Sequence, residues 1–365
     1  MTDEATRLGE LREEIDSLDQ QIMALISKRA ECAQEVAHVK MAANPGEDVF
    51  FYRPEREAQV LRRIKQQNPG PLPDEEMARL FREIMSACLA LEKPMHIAFL
   101  GPVGTFTQAA ALKHFGHSVV SVPMPAIDAV FREVESGAAH YGVVPVENST
   151  EGMINHTLDM FMSSPLKICG EVQLRIHHHL LVNPAHEGQE ISRIYSHQQS
   201  FAQCRKWLDA NRYGVERITV SSNAEAARRA AEEPGTAAIA GDMAAELYGL
   251  EKLANSIEDR PDNTTRFLII GREEVPASGH DKSSILVSMR NKPGALYQLL
   301  EPFHKHNISL TRIETRPSPS GTWAYVFYID FEGHMEDDTV HRVLSEIDDE
   351  AVELKRLGSY PIGVL

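Results

Sequence analysis

The chain is short of cysteine, of positive charge and of long apolar runs, and each shortage closes off a class of protein. Cys32, Cys88, Cys169 and Cys204 are scattered over 365 residues with no Cys-x-x-Cys pair. That spacing argues against a disulfide framework or a cysteine zinc site and fits reduced thiols in the cytoplasm. Lysine and arginine total 37 against 53 acidic residues, a net charge of −16. A general nucleic-acid binder needs clustered cations to meet phosphate, so no nucleic-acid partner is expected. A local basic pocket could still take a small anion. No apolar stretch is long enough to span a bilayer and the acidic N-terminus has no signal-peptide core, so no membrane association is expected. A Gly-x-Gly-x-x-Gly fingerprint and a suitably placed acidic ribose ligand are also missing, so a nucleotide reading is weak and no cofactor is expected.

What is present is a soluble composition, 42% hydrophobic and 25% charged, at a length that predicts two or three domains. Three textures follow one another. Residues 1–93 read as all-α. Leu8, Leu11, Ile15, Leu18, Ile22, Leu25, Cys32, Val36 and Val39 repeat at 3–4 spacing from about Asp3 to Met41. This is the seam of one long helix that expects a helical partner along most of its length, as in an intertwined dimer. A break is predicted at Asn44-Pro45-Gly46, a second helix from Pro54 to before Asn68, and a third capped by Asp74 and running to about Glu92. Residues 94–272 alternate short apolar strands, such as His96–Leu100 and Tyr141–Val146, with helical stretches, an α/β pattern. After a polar linker at Pro276–Asp281, residues 280–365 read βαββαβ, a ferredoxin-like order with a turn at Ser318–Gly321 and a strand from Trp323.

Arg29 is the anomaly of the first segment, because it takes the next place on the apolar seam after Leu25. A buried cation needs a carboxylate partner or water. Lys40 lies eleven residues on, about 20° around the helix, so the two can close on one small dianion. Arg12 is roughly 25 Å from Arg29 along the axis and can reach the same ligand only from a second subunit. A buried salt bridge at Arg29 with solvated Arg12 and Lys40 is the plainer alternative. The run Leu11-Arg12-x-x-Ile15-Asp16-x-x-Asp19, with Arg29, Lys40 and Arg56-Glu57, resembles the all-helical chorismate mutases. The resemblance implies that Arg12, Arg29, Lys40, Arg56 and Glu57 line a site for the Claisen rearrangement of chorismate to prephenate. Arg29 and Lys40 would stabilise charge on the breaking ether oxygen. Glu92 stands where this family often carries glutamine, and must be protonated to help. Arg53 stands where an acidic residue is common.

In the middle segment, polar clusters follow apolar strands at Glu147-Asn148-Ser149-Thr150, Ser196-His197-Gln198-Gln199 and Asn263-Thr264-Thr265-Arg266. Open α/β folds bind ligands there, although each cluster alone reads as capping and turn residues. Gly101-Pro102-Val103-Gly104-Thr105 precedes a helix, a place for an anion. His177-His178-His179 tempts a metal assignment, but neighbours on a strand face opposite ways, and no metal is expected. Together with Val143-Val144-Pro145 before Glu147, Gln203-Cys204 and Thr265-Arg266-Phe267, these runs are similar to the prephenate dehydratases. That implies a two-lobed, periplasmic-binding-protein-like domain converting prephenate to phenylpyruvate. Glu147, Asn148, Ser196, Gln203, Thr265 and Arg266 would hold substrate and Thr265 would be catalytic. Its hydroxyl is a weak acid, so it is read as a positioned donor, with Glu147 or a water as proton source. Arg266 is either a carboxylate clamp or a tether.

Lys292-Pro293-Gly294-Ala295-Leu296 and Ile313-Glu314-Thr315-Arg316-Pro317 look like the ACT domain of the dehydratases. The resemblance implies that Gly294, Ala295 and Leu296 contact L-phenylalanine at a dimer interface, while Glu314, Thr315 and Arg316 couple to the dehydratase. The whole is similar to the bifunctional chorismate mutase/prephenate dehydratases, the P-proteins, feedback-inhibited enzymes of phenylalanine biosynthesis without a cofactor. The alternatives are a dehydratase with a degenerate mutase segment, and a non-enzymatic amino-acid-binding regulator.

Overall fold

The computed structural model describes residues 2–43, 52–150, 152–186, 188–290, 292–317 and 325–364. The expected break at Asn44–Gly46, the turn at Ser318–Gly321 and the strand start at Trp323 lie outside these. The chain opens with α1 (Thr2–Ala43), α2 (Pro54–Gln67) and α3 (Asp74–Glu92). With Gly9 its only glycine and no proline, α1 propagates for 42 residues, about 63 Å at ~1.5 Å per residue. It rests on α3. Yet Leu8, Leu11, Ile15, Leu18, Ile22 and Leu25 are exposed, an apolar stripe left without cover by this chain's described residues. One expectation is corrected here. Pro73 holds the N-cap place of α3, while the Asp74 carboxylate accepts from Asn68 Nδ2 at 2.8 Å and ties down the loop before the helix.

The first α/β lobe is laid down as β1 (His96–Leu100), α4 (Phe106–Phe115), β2 (Val120–Met124), α5 (Ile127–Glu135), β3 (Tyr141–Asn148), β4 (Gly152–Met153), α6 (Asn155–Ser163) and β5 (Lys167–Arg175). The chain crosses to a second lobe of β6 (His179–Val182), β7 (Arg193–Ser196), α7 (Gln198–Gln203), α8 (Arg205–Asn211), β8 (Glu216–Thr219), α9 (Asn223–Glu232), β9 (Thr236–Ala240), α10 (Asp242–Tyr248) and β10 (Glu251–Ala254). It then returns as β11 (Thr264–Gly271), giving sheets ordered β2-β1-β3-β11-β5, with β4 on β3, and β10-β6-β9-β7-β8. Strands such as β3 and β9 are buried along nearly their whole length, which is why they read as continuous apolar runs. β11 is antiparallel to β3 and β5, so it carries its polar first residues to the gap between lobes. The two crossings are fastened together: the Glu258 carboxylate accepts from the His178 backbone N–H at 2.9 Å, and the Ile257 N–H donates to the His178 carbonyl at 2.8 Å.

The last unit is β12 (Asp281–Ser288), α11 (Ala295–Lys305), β13 (Leu310–Pro317), β14 (Tyr325–Glu332), α12 (Asp338–Glu350) and β15 (Glu353–Pro361), its sheet ordered β13-β14-β12-β15. One face carries the helices over Val287, Ile329 and Phe331. The other face puts Leu286, Val326, Tyr328, Leu357 and Tyr360 into one apolar core with Val144, Leu158, Phe161 and Leu268 of the first lobe. The linker expected at Pro276–Asp281 is not loose. Arg62 of α2 donates to the Ser278 carbonyl and hydroxyl and to the His280 carbonyl at 3.0, 2.8 and 3.1 Å, and Asp281 already belongs to β12. Among the described residues no helix is long and apolar enough to cross a membrane.

Candidate active sites

Two cavities carry most of the expected catalytic and substrate-binding residues, and their chemistry is opposite. The first, about 300 Å³, opens among the three N-terminal helices and is lined by Arg29 and Lys40 of α1, Arg53 before α2, Arg56 and Glu57 of α2, and Cys88 and Glu92 of α3. The eleven-residue spacing puts Arg29 and Lys40 on one side of α1, as the helical step requires. Arg53 is engaged elsewhere, donating to Glu55 at 2.6 Å. Arg12 does not line the cavity and is exposed on α1. Burial raises the pKa of Glu92 against the opposing pull of Lys40. Burial raises Glu57 too, opposed by Arg82, whose Nε stands 3.3 Å away. Arg82 also donates to the Lys113 carbonyl at 2.8 Å, in the last turn of α4. Tyr52 shares the cavity wall, and its hydroxyl meets His114 Nε2 at 3.1 Å. Burial, helped by Arg82, pushes His114 down to about 3, so the imidazole beside the phenol is neutral. The floor of the first site is therefore built on a helix of the α/β unit.

The second cavity, about 270 Å³, lies between the lobes. No lysine, arginine, aspartate or glutamate is among its described lining residues. The N-terminal ends of α4 (Thr105, Thr107) and α9 (Ser222, Asn223) face it instead, presenting backbone N–H groups and the positive end of the helix dipole. Asn148, Gln203 and Thr265 are brought together here by a directed chain of hydrogen bonds. His178 Nε2 meets Gln203 Oε1 at 2.8 Å, and Gln203 Nε2 donates to Thr150 Oγ1 at 3.3 Å. The Thr150 hydroxyl donates to Asn148 Oδ1 at 2.6 Å, and Asn148 Nδ2 donates to Thr265 Oγ1 at 2.8 Å. With its oxygen accepting from Asn148, Thr265 keeps its own proton for a ligand.

Three residues expected at this substrate lie off it, each for a visible reason. Glu147 precedes Asn148 on β3, and its carboxylate pairs with Arg312 of β13. Ser196 is fully buried and bonds the Asn223 side chain and the Ile239 carbonyl, both at 3.1 Å. Arg266 follows Thr265, and strand alternation turns it to the opposite face. There it meets Glu171 at 2.9 Å, Asp330 at 2.7 Å and the Tyr360 hydroxyl at 3.0 Å, so of the two readings the tether is the one its contacts describe. His177 bonds Glu258 at 2.8 Å and His179 accepts from the Ser256 N–H at 3.1 Å, so the three histidines have separate partners. Among the described residues no group of three or more His, Cys, Asp or Glu side chains could hold a metal ion.

In the C-terminal unit Gly294 caps α11 at φ +82, a left-handed conformation that glycine adopts without strain, with Ala295 half-buried and Leu296 exposed beside it. On β13, Arg312 and Arg316 reach the first α/β lobe, Arg316 holding Asp159 of α6 at 2.9 and 3.0 Å. Glu314 shares their side of the strand, while Ile313 and Thr315 face the other way and are exposed.

Family models match in the same order: chorismate mutase type II over residues 11–93, prephenate dehydratase over 97–275, and ACT domain over 283–349. A bifunctional chorismate mutase/prephenate dehydratase of Stutzerimonas stutzeri is 66% identical over 363 residues, covering 99% of this chain and 100% of that one. The chain belongs to the bifunctional chorismate mutase/prephenate dehydratases. A second such enzyme, from Pseudomonas aeruginosa, is 64% identical over 360 residues, covering 98% of this chain and 99% of its own. Among solved structures, prephenate dehydratase from Arthrobacter aurescens in complex with L-Phe superposes with a TM-score of 0.67 at 33% identity, over 73% of this chain and 90% of that one. This bifunctional enzyme rearranges chorismate to prephenate and eliminates water and carbon dioxide from prephenate to leave phenylpyruvate.

Sequence reasoning passed over several residues that the bifunctional enzyme gathers around its cavities. Arg82 had a signal of the same kind as Arg29: a cation in the buried Ala78–Arg82–Ser86 stripe of α3. Asn223 follows Ser221-Ser222 past the end of β8, like the clusters that were singled out. His178 sits in a histidine run whose sequence signal points only to a metal ligand.

Proposed function

We propose that the mutase reaction runs in the three-helix cavity and the dehydratase reaction in the interlobe cleft, with units at 1–93, 94–272 and 280–365. The observation that carries this reading is the contrast between the linings. Chorismate must be clamped by both carboxylates while negative charge grows on an ether oxygen, and Arg29, Lys40, Arg56 and a protonated Glu92 supply donors for that. Prephenate must release a carboxylate as carbon dioxide, and a fixed cation would hold it back. The helix ends, Asn148, Gln203 and Thr265 can orient prephenate without one. Glu57, kept by Arg82, is an acceptor for the substrate hydroxyl.

Arg12 enters the mutase site of a second copy, and the uncovered stripe on α1 supports a homodimer. L-phenylalanine binds beside Gly294, Ala295 and Leu296 and inhibits the enzyme, its effect carried by Glu314, Thr315 and Arg316 of β13. The L-Phe complex of the Arthrobacter relative supports this assignment. Free cysteines, three of them buried, support a cytoplasmic setting. Separate assays of chorismate loss and phenylpyruvate formation test the two-site reading. Thr265→Ala should lower dehydratase turnover by about 10²–10⁴-fold and leave the mutase rate intact. Arg29→Ala should do the reverse by at least about 10²-fold. Equal loss of both activities in either variant would overturn it.

A further inference from the structure

The elimination needs a proton for the departing hydroxyl, and the groups named so far do not supply one. Thr265 is too weak an acid, and Glu147 is paired with Arg312 away from the cleft. Among the described residues lining the cleft, His178 and His197 are the only histidines, and no carboxylate or lysine stands beside them. His197 Nδ1 is engaged, accepting the Gln199 N–H at 3.3 Å to cap α7. His178 is built differently. It is 1% exposed, its ring stands edge-on to Phe106 with centroids 5.6 Å apart, and its Nδ1 is buried without a hydrogen-bond partner.

The tautomer follows from the network. Gln203 Oε1 already accepts from Asn263 Nδ2 at 3.1 Å, and Gln203 Nε2 points to Thr150, so Oε1 is the acceptor that faces His178. Nε2 of His178 therefore carries the hydrogen, and Nδ1 holds a lone pair. The chain from His178 through Gln203, Thr150 and Asn148 to Thr265 donates in one direction throughout. It leaves two uncommitted groups, the Thr265 hydroxyl proton at one end and His178 Nδ1 at the other.

We propose that His178 Nδ1 takes up a proton with the arriving prephenate dianion and delivers it to the leaving hydroxyl. In the step, the Nδ1–H bond breaks as the proton joins the ring hydroxyl oxygen, and the carbon–oxygen bond breaks to release water. The electron pair of the bond to the ring carboxylate moves into the ring as carbon dioxide departs, and the ring becomes aromatic. His178 is left neutral, the state in which it meets the next prephenate and its accompanying proton. Thr265 donates a hydrogen bond to the same oxygen and fixes its direction. Burial holds His178 neutral against the weaker pull of the Gln203 bond and Glu258, with His179 and His177 also disfavouring charge. Two substrate carboxylates beside it reverse that balance.

This assignment rests on placing the dehydratase reaction in the interlobe cleft, and the test separates the two. His178→Gln keeps a donor able to reach Gln203 but has nothing at the Nδ1 place. Dehydratase kcat should fall about 10²–10⁴-fold while the KM for prephenate moves little and the mutase rate, read on the same preparation, stays at the wild-type value. Wild-type dehydratase kcat should fall as pH rises through the pKa of the bound-state imidazolium, and His178→Gln should lack that limb. The proposal is overturned if His178→Gln keeps wild-type kcat and pH profile while Thr265→Ala is inactive, or if His197→Gln alone loses the limb. If Thr265→Ala and His178→Gln are both fully active, the cleft itself is the wrong site.

Discussion

A carboxylate facing Arg29, Lys40 and Arg56 would ordinarily lose its proton more easily, yet Glu92 is shifted the other way. Its desolvation near the end of α3 outweighs the attraction of Lys40. The sign matters for catalysis. The neutral acid can donate to the ether oxygen and the anion repels it, so mutase activity should be highest below the raised pKa and decline above it. Glu92→Gln, which donates at every pH, should flatten the profile; an alkaline decline that survives the substitution would refute this role. Arg266 poses the opposite problem, a buried cation held by Glu171, Asp330 and Tyr360. Arg266→Met would leave two buried carboxylates without it and should cost roughly 3–5 kcal/mol, read by urea unfolding. Its neighbour Thr265 makes a lowered dehydratase rate the expected companion.

At the scale of elements, α1 carries an apolar stripe that the described residues of this chain leave uncovered. On the proposed dimer, Leu18→Asp with Ile22→Asp should yield a monomer by light scattering and lose mutase activity, because the proposed contribution of Arg12 from the second copy is then withdrawn. Burying each of these side chains is worth about 1.5–3 kcal/mol, so two charges on the seam suffice. β15 gives a second case. Gly358 has φ +143, and an added Cβ would fall against the Ile168 backbone, so Gly358→Ala should lower the melting temperature and loosen the C-terminal unit to limited proteolysis. Periodicity made the long elements readable: α1, α2, α3 and α11 lie within two residues of where their apolar spacing and prolines put them. The two-residue β4 and the charged Glu251–Ala254 strand β10 were missed because neither has an apolar pattern of its own, and β10 forms only against β6. The cleft was legible as clusters past strand ends. Which member of each pair faces it was not, since Thr265 and Arg266 differ only by the strand's alternation, and Glu147 is drawn off by Arg312, a residue distant in sequence.

Over the whole molecule, the first site leans on α4 through Arg82 and Tyr52, and the second is gripped from behind by the C-terminal sheet through Arg266 and Arg312. Arg312 reaches Glu147, one residue from Asn148 and hence one hydrogen bond from Thr265. Arg312→Gln should keep the mutase rate and raise the phenylalanine concentration for half-inhibition of the dehydratase by about fivefold or more, the loss expected when a coupling of about 1 kcal/mol is removed. The apolar core shared by Leu286, Val326, Tyr328 and Tyr360 with Val144, Leu158 and Leu268 has a further consequence, for protein engineering. The ACT unit is not a detachable cassette: a chimera that exchanges it for the corresponding unit of another protein must also transplant the facing positions on β3, α6 and β11, or it will join two half-cores that do not interlock.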